Sequence, residues 1–185
     1  MDNRMTVINE AVQYLEGRLG GLRPQIGIIL GSGLGKLADR IGAPLTIPYT
    51  DVPGFVKSTA IGHKGNFIVG TLGGKTVMAM QGRFHYYEGY TMQQVTFPVR
   101  VMQQLGIKYL FVSNASGGIN PSFRVGDLMV ITDHINLMPN PLIGPNMAEF
   151  GPRFPDMHNC YDQHLIIRAT RIAEEKGIKL QYGVY

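Results

Sequence analysis

Short, continuous apolar runs constrain the fold of this chain more than any other sequence feature. The first, Gln25–Leu30, reads Gln-Ile-Gly-Ile-Ile-Leu, and a run of this length is typical of a parallel strand buried on both faces of a sheet. Helical spacing of apolar residues and the positions of glycine and proline predict the remaining elements: strands at 66–72, 76–80, 109–113 and 128–132, and helices at 3–19, 91–105 and 161–176. Strands and helices arranged in this way predict an α/β protein. Because no linker or repeat interrupts the sequence, we expect a single domain over residues 1–185.

Composition narrows the class of protein. Of the 185 residues, 44% are hydrophobic and 16% are charged, which is typical of a compact domain and not of a disordered chain. The net charge is +4. Because no basic run or basic-aromatic alternation accompanies this charge, the sequence predicts no nucleic-acid partner and only a weak preference for anionic small molecules.

The single cysteine helps to predict the cellular compartment of the protein. Cys160 is the only cysteine of the sequence, so an internal disulfide is impossible, and no metal-ligand spacing surrounds it. One unpaired thiol favours a reducing environment. The N-terminus lacks a signal-peptide pattern, and no apolar run approaches the length of a membrane span. We therefore expect a cytoplasmic protein without a membrane partner.

The segment Gln81–Tyr90 combines a cation, an imidazole, a carboxylate and three phenols within ten residues. It reads Gln-Gly-Arg-Phe-His-Tyr-Tyr-Glu-Gly-Tyr and begins where the predicted strand 76–80 ends. In open α/β sheets, ligands bind beyond the carboxyl ends of the strands. Arg83 suits an anion such as phosphate through two parallel N–H groups, and His85 can donate to the same anion or move a proton. The segment is either such a site or a surface turn whose aromatic side chains pack on the core.

Two glycine-rich loops follow two other predicted strands. Residues 31–35, Gly-Ser-Gly-Leu-Gly, follow the first strand and lead into residues 36–41, which we expect to be helical. Backbone N–H groups in such a loop can face an anion, and Ser32 adds a hydroxyl. The spacing matches neither the dinucleotide fingerprint nor the mononucleotide phosphate loop, so a tight strand-to-helix connection is an alternative. Residues 114–118, Asn-Ala-Ser-Gly-Gly, follow the strand at 109–113 and form either a second small-residue loop or a simple turn.

His63 lies between two glycines in Gly-His-Lys-Gly, residues 62–65. It is either a mobile lid over a bound anion or an ordinary exposed histidine. No pair of carboxylates has the spacing of a glycosidase, which favours a bound anion over water as a nucleophile. The two glycine-rich loops and the segment 81–90, with Arg83 and His85, together predict a phosphate pocket with a planar group beside it.

The ordered set of motifs resembles that of the purine nucleoside phosphorylases of the trimeric type that prefers guanosine and inosine. The motifs that carry the resemblance lie at residues 31–35, 62–63, 81–90, 95–100, 114–118, 126–127, 133–136 and 153–155. The sister methylthioadenosine phosphorylases fit less well at Ser32 and at residues 85–89. The resemblance implies a mixed central β-sheet flanked by helices. It also implies reversible phosphorolysis of purine (deoxy)ribonucleosides to free base and (deoxy)ribose 1-phosphate, a pentosyl transfer of purine salvage.

The resemblance further implies a role for each matching residue. The phosphate-binding groups are all hydrogen-bond donors: Ser32, His63, Arg83, His85 and the Ala115 N–H, with His63 closing over the anion. Tyr87 would reach the ribose hydroxyls, and Ala115, Ser116 and Gly117 would line the sugar and base cavity. His63, His85 and Glu88 would form the catalytic set, and Glu88 would brace Arg83.

Phe154 would cap the ribose in the site of a neighbouring subunit, so the resemblance implies a homotrimer. It implies inorganic phosphate as a co-substrate, and no metal and no organic cofactor. Chains of the family continue past Tyr185 with the residues that select the base, so we expect this chain to be truncated at its C-terminus. Three functions stay open: an active phosphorylase, a catalytically silent phosphate-binding fragment, and an interaction module that pairs with complete subunits.

Overall fold

The computed structural model describes residues 3–60 and 62–185, which fall into two compact units divided between Ala115 and Ser116. The single domain over residues 1–185 stays a prediction. The helices and strands are α1 (Arg4–Leu19), β1 (Ile26–Ile29), β2 (Gly42–Pro48), β3 (Asn66–Leu72), β4 (Lys75–Gln81), α2 (Met92–Gln104), β5 (Tyr109–Val112), β6 (Leu128–Asp133), α3 (Gln163–Glu175) and β7 (Leu180–Val184).

The first unit is built on a five-stranded sheet in the order β2-β3-β4-β1-β5. Strand β1 pairs in parallel with both β4 and β5, whereas β2, β3 and β4 are antiparallel neighbours. The α/β fold with a mixed central sheet and flanking helices is therefore confirmed. The parallel trio matters for function, because the carboxyl ends of β4, β1 and β5 meet at one edge of the sheet.

Local sequence explains the antiparallel half of this sheet. Gly73 and Gly74 form a two-residue turn between β3 and β4, with φ of +56° and +73°, and two positive φ values define the hairpin turn that glycine favours. Strand β2 was not predicted from the sequence, since Pro44 and Pro48 interrupt its pattern. It lies at the sheet edge with a register shift between Gly42 and Leu45, which is where proline is tolerated in a sheet.

A cluster of aromatic rings packs beside β3 and β4. Tyr49 lies 5.2 Å from the ring centroids of both Phe67 and Phe84, in edge-to-face geometry, and Phe55 lies 5.6 Å from Phe97. Such pairs add to the stabilisation from buried area. Tyr49 is buried, and its hydroxyl donates a 2.7 Å hydrogen bond to the carbonyl of Gly82. The cluster thus holds the start of the segment that follows β4.

The second unit contains β6 paired in parallel with β7, and helix α3. Asp162 caps α3 by accepting a 2.9 Å hydrogen bond from the Leu165 amide. The proline-rich stretch 137–155 holds only a short 3₁₀ turn, and Arg153 closes it by donating 2.8 Å hydrogen bonds to the carbonyls of Leu142 and Gly144. Within residues 3–60 and 62–185, no helix is long and apolar enough to cross a membrane.

Candidate active site

Three loops leave the sheet side by side at the carboxyl ends of β1, β4 and β5. The first is the glycine loop 31–35, the second is the segment 81–90, and the third begins at Ser113. Residues 36–41, which we expected to be helical, form a 3₁₀ helix at Gly35–Arg40 instead. A helix this short has a small dipole, so it contributes little to anion binding at the loop.

Ser113 joins the first and third loops. Its hydroxyl donates to the carbonyl of Ile29 (3.0 Å) and accepts from the amide of Gly31 (3.2 Å). A Cβ atom on Gly31 would lie 2.5 Å from the Ser113 carbonyl oxygen and 2.6 Å from Asn114 Cα. The chain segments that follow β1 and β5 are therefore in contact at Gly31, where only glycine fits. Sequence reasoning did not assign a role to Ser113, although a hydroxyl at the end of a buried strand is the signal that could have found it.

Arg83, in the second loop, is fixed by the start of the third loop and by His63. Its guanidinium Nη1 donates a 3.0 Å hydrogen bond to the Ser113 carbonyl. Its amide nitrogen and its carbonyl oxygen both lie 3.1 Å from Nδ1 of His63. One end of the guanidinium is thus held by backbone, which orients the rest of the planar group for a ligand.

His63 brings the residues of the predicted pocket together. Its Nε2 lies 3.4 Å from Oγ of Ser32, and its ring centroid lies 4.8 Å from that of His85. The ring of His85 also stacks on Tyr87, with centroids 4.6 Å apart and planes 20° from parallel. Two imidazoles, a hydroxyl and a phenol ring therefore converge beside the arginine.

Glu88 holds the ring of His85. Its Oε1 accepts from the His85 amide at 2.9 Å and lies 2.7 Å from His85 Nδ1, and its Oε2 accepts from the amide of Thr59 at 2.7 Å and from the Thr59 hydroxyl. The side chain of Glu88 is only 2% exposed. The structure thus differs from the expectation that Glu88 braces Arg83: the carboxylate holds His85 and Thr59, and the Ser113 carbonyl holds the arginine.

These contacts also set the protonation of the pair. Burial alone would raise the pKa of Glu88, but the hydrogen bonds from Thr59 and His85 outweigh it and lower the pKa to about 2. Glu88 is therefore a carboxylate at neutral pH. Burial lowers the pKa of His85, and the charges of Arg83 and His63 lower it further, while the hydrogen bond with Glu88 opposes them.

A cavity of about 490 Å³ opens at this cluster. It is lined by Ser32, Thr59, Ala60, Tyr87 and Glu88. Tyr87 is 76% exposed at its rim. Thr59 and Ala60 were not predicted from the sequence, because they lie in an irregular loop between β2 and β3 that follows no predicted strand. The cavity places donors around a space of the size that an anion and a small polar ligand require.

The remaining predicted residues lie elsewhere in the chain. Ala115 follows Asn114 at the end of the first unit, and its amide stays a predicted phosphate ligand. Ser116, Gly117 and Phe154 belong to the second unit, so their places in the site also stay predictions. Over residues 3–60 and 62–185, no cluster of three histidine, cysteine or acidic side chains has the arrangement to hold a metal ion.

We expect Gly82→Ala to weaken anion binding by moving His63. Gly82 has φ of +106°, and a Cβ atom there would lie 2.7 Å from His63 Cβ and 3.0 Å from its Cα. The matched control is Gly89→Ala, because Gly89 has φ of +89° with nothing within 4 Å of a Cβ atom. Both variants should lose about 1–3 kcal/mol of unfolding free energy through backbone strain, but only Gly82→Ala should lower phosphate affinity, measured by calorimetry. Equal affinities in the two variants would contradict this.

We expect the contribution of Glu88 to stability to disappear in acid. Its folded pKa of about 2 lies below the ordinary value of 4.5, so the folded state favours the carboxylate, and the stabilisation is present above 4.5 and lost as pH falls towards 2. After allowance for solvent screening, we expect Glu88→Gln to cost about 1–2 kcal/mol at neutral pH. Urea unfolding of both proteins over this pH range should show the difference shrinking. A difference that is constant with pH would exclude the ionised carboxylate as its cause.

Comparison with known proteins gives the class to which this fold and site belong. The model of the Phosphorylase superfamily matches residues 25–185, and the chain belongs to this family. Within it, the chain is 60% identical over 163 residues to purine nucleoside phosphorylase 1 of Bacillus subtilis, covering 88% of this chain and 60% of that protein. The chain thus spans about three fifths of the length of that relative.

Solved structures agree with this placement. Schistosoma mansoni purine nucleoside phosphorylase in complex with inosine has a TM-score of 0.91 and 45% identity, with 98% of this chain and 65% of that chain covered. A purine nucleoside phosphorylase in complex with ribose 1-phosphate has a TM-score of 0.92 and 46% identity, with coverage of 98% and 68%. The family resemblance seen in the motifs is therefore confirmed.

Proposed function

We propose that this chain carries the phosphate-binding part of a purine nucleoside phosphorylase, which cleaves purine (deoxy)ribonucleosides with inorganic phosphate. The products would be the free base and (deoxy)ribose 1-phosphate. The observation that supports it most is the convergence of Ser32, His63, Arg83 and His85 at the ends of parallel strands. Relatives whose structures hold inosine and ribose 1-phosphate, a substrate and a product of such a reaction, support the same assignment.

The chemistry of the bond explains why an anion pocket suits this reaction. As the bond from the sugar to the purine breaks, its electron pair leaves with the base and positive charge develops on the sugar. A phosphate oxygen held beneath that carbon stabilises the charge and then forms the new bond. Arg83, Ser32 and the two imidazoles would position the phosphate, and Tyr87 at the rim would contact the ribose.

The assembly and its partners are part of the proposal. We propose a homotrimer in which Phe154 reaches the site of a neighbouring subunit and Ser116 and Gly117 line the sugar cavity. Phe154 is 86% exposed, and an apolar ring this exposed suits an interface. Sedimentation velocity tests the trimer: a species of three chains supports it, and a monomer at all concentrations excludes it. A cytoplasmic location and catalysis with no cofactor other than the phosphate co-substrate are also proposals.

Phosphate dependence is the direct test of function. The purified chain is incubated with inosine in the presence and in the absence of phosphate, and chromatography follows hypoxanthine while ³¹P spectra follow ribose 1-phosphate. Phosphorolysis requires both products to form only with phosphate. Hypoxanthine release without phosphate would indicate a hydrolase. Phosphate binding without either product would identify the chain as a binding fragment.

A further inference from the structure

We propose that Thr59 is a positioning residue, which fixes Glu88 so that the His85 ring presents Nε2 to the anion pocket. This inference rests on the proposed phosphate site. Thr59 lies outside all of the sequence motifs that predict the functional residues. It reaches His85 only through Glu88, so its effect differs from that of a residue that binds the ligand directly.

The contacts of Glu88 show how the positioning works. Oε2 accepts two hydrogen bonds, from the amide and the hydroxyl of Thr59, and Oε1 faces the amide and ring of His85. With both oxygens occupied and only 2% of the side chain exposed, the carboxylate has one orientation. The Thr59 amide donates one of the two hydrogen bonds to Oε2, and a side-chain substitution leaves it in place. The Thr59 hydroxyl donates the other, which a substitution can remove.

The fixed carboxylate determines which nitrogen of His85 carries the proton. An ionised carboxylate accepts hydrogen bonds but cannot donate, so His85 Nδ1, 2.7 Å from Oε1, must carry hydrogen. Nε2 is then left for the ligand. On a neutral ring it accepts a hydrogen bond from a protonated phosphate oxygen, and on a charged ring it donates to a fully ionised one. In both cases a single proton lies in the hydrogen bond between His85 Nε2 and a phosphate oxygen.

The loop that carries Thr59 also carries the second imidazole of the site. Both Thr59 and His63 lie in the loop between β2 and β3, and the His63 ring packs on the His85 ring at 4.8 Å. The loop therefore contacts the segment after β4 through Glu88, through the packed imidazole rings, and through the hydrogen bonds between His63 Nδ1 and the Arg83 backbone. The groups that face His85 and influence its charge are Glu88, Arg83 and His63, with Tyr87 stacked on its ring.

The test compares Thr59→Val, which keeps the shape but removes the hydroxyl, with Thr59→Ser, which keeps the hydroxyl. Thr59 is exposed, so neither change removes core packing. The ring nitrogens of His85 are observed by ¹⁵N spectroscopy, with His85→Gln used only to assign its signals among those of the five histidines. Parent and Thr59→Ser should show hydrogen on Nδ1, whereas Thr59→Val should show a mixture with hydrogen on Nε2. Phosphate affinity, measured by calorimetry, should fall about tenfold in Thr59→Val and stay near the parent value in Thr59→Ser.

The two readouts separate this inference from the proposed function. If the parent chain does not bind phosphate, the proposed function fails, while the ring spectra still decide the role of Thr59. If Thr59→Val leaves the His85 nitrogens as in the parent, the positioning role is excluded. If Thr59→Ser is as impaired as Thr59→Val, the hydroxyl is not responsible and the inference is likewise overturned.

Discussion

Arg83→Ala should reduce phosphate affinity roughly 30- to 1,000-fold. A charge-assisted contact between a guanidinium and phosphate contributes roughly 2–4 kcal/mol in a partly desolvated site. Arg83 is the cation held in place between the loops, with Nη1 on the Ser113 carbonyl and its backbone beside His63. Calorimetric titration with phosphate measures the loss directly, without any need for turnover.

Two companion variants make the Arg83 result specific. Arg83→Lys keeps the charge but loses the planar pair of N–H groups, so it should recover only part of the affinity. Arg171→Ala removes an arginine that is 70% exposed on α3 and pairs with Glu175, and it should bind phosphate as the parent does. An Arg83→Ala protein that is folded and binds phosphate with parental affinity would show that the pocket has been misassigned.

Gly31→Ala should destabilise the first unit by about 3 kcal/mol and abolish phosphate binding. The new Cβ atom would lie 2.5 Å from the Ser113 carbonyl oxygen and 2.6 Å from Asn114 Cα. Both neighbours are backbone atoms, so no flexible side chain can move aside, and the ends of β1 and β5 must separate. Urea unfolding measures the loss of stability, and calorimetry measures the loss of phosphate binding.

The same loop offers a matched control. Gly35→Ala adds the same methyl group where nothing lies within 4 Å and where φ is not positive, so its unfolding free energy should stay within about 0.5 kcal/mol of the parent. A large loss in Gly35→Ala would mean that the loop tolerates no side chain at all. Parental stability in Gly31→Ala would show that the two strand ends can move apart freely.

The sequence was sufficient to predict the central strands because their signal is local. The apolar run at 25–30 gave β1, and the runs at 66–72 and 76–80 gave β3 and β4 almost to the residue. Strand β2 was not predicted, because its prolines argue against a strand in most of a sheet but are tolerated in an edge strand. The 3₁₀ helix at Gly35–Arg40 replaced an expected helix, since six residues are too few for periodicity to distinguish the two.

The sequence predicted those site residues that come directly after a strand. Ser32, Arg83 and His85 all come directly after predicted strands, so topology alone brings them to one edge. Thr59 does not, because its position depends on the path of an irregular loop between β2 and β3, which no local pattern specifies. The orientation of Glu88 was missed for a related reason: its choice of partners is decided in three dimensions by Thr59.

The pairing of β1 with β4 and β5 has a consequence for the order of folding. The β3–β4 hairpin closes through a two-residue turn, whereas Ile26 must find Val77 and Tyr109, which are distant in the chain. Loop-closure entropy makes such distant pairings slow relative to a hairpin. The anion pocket needs those distant pairings, because Ser32 follows β1 and the Ser113 carbonyl that holds Arg83 follows β5. A folding chain therefore acquires its hairpin before it can hold a ligand, and phosphate can stabilise the finished sheet but cannot guide the early steps.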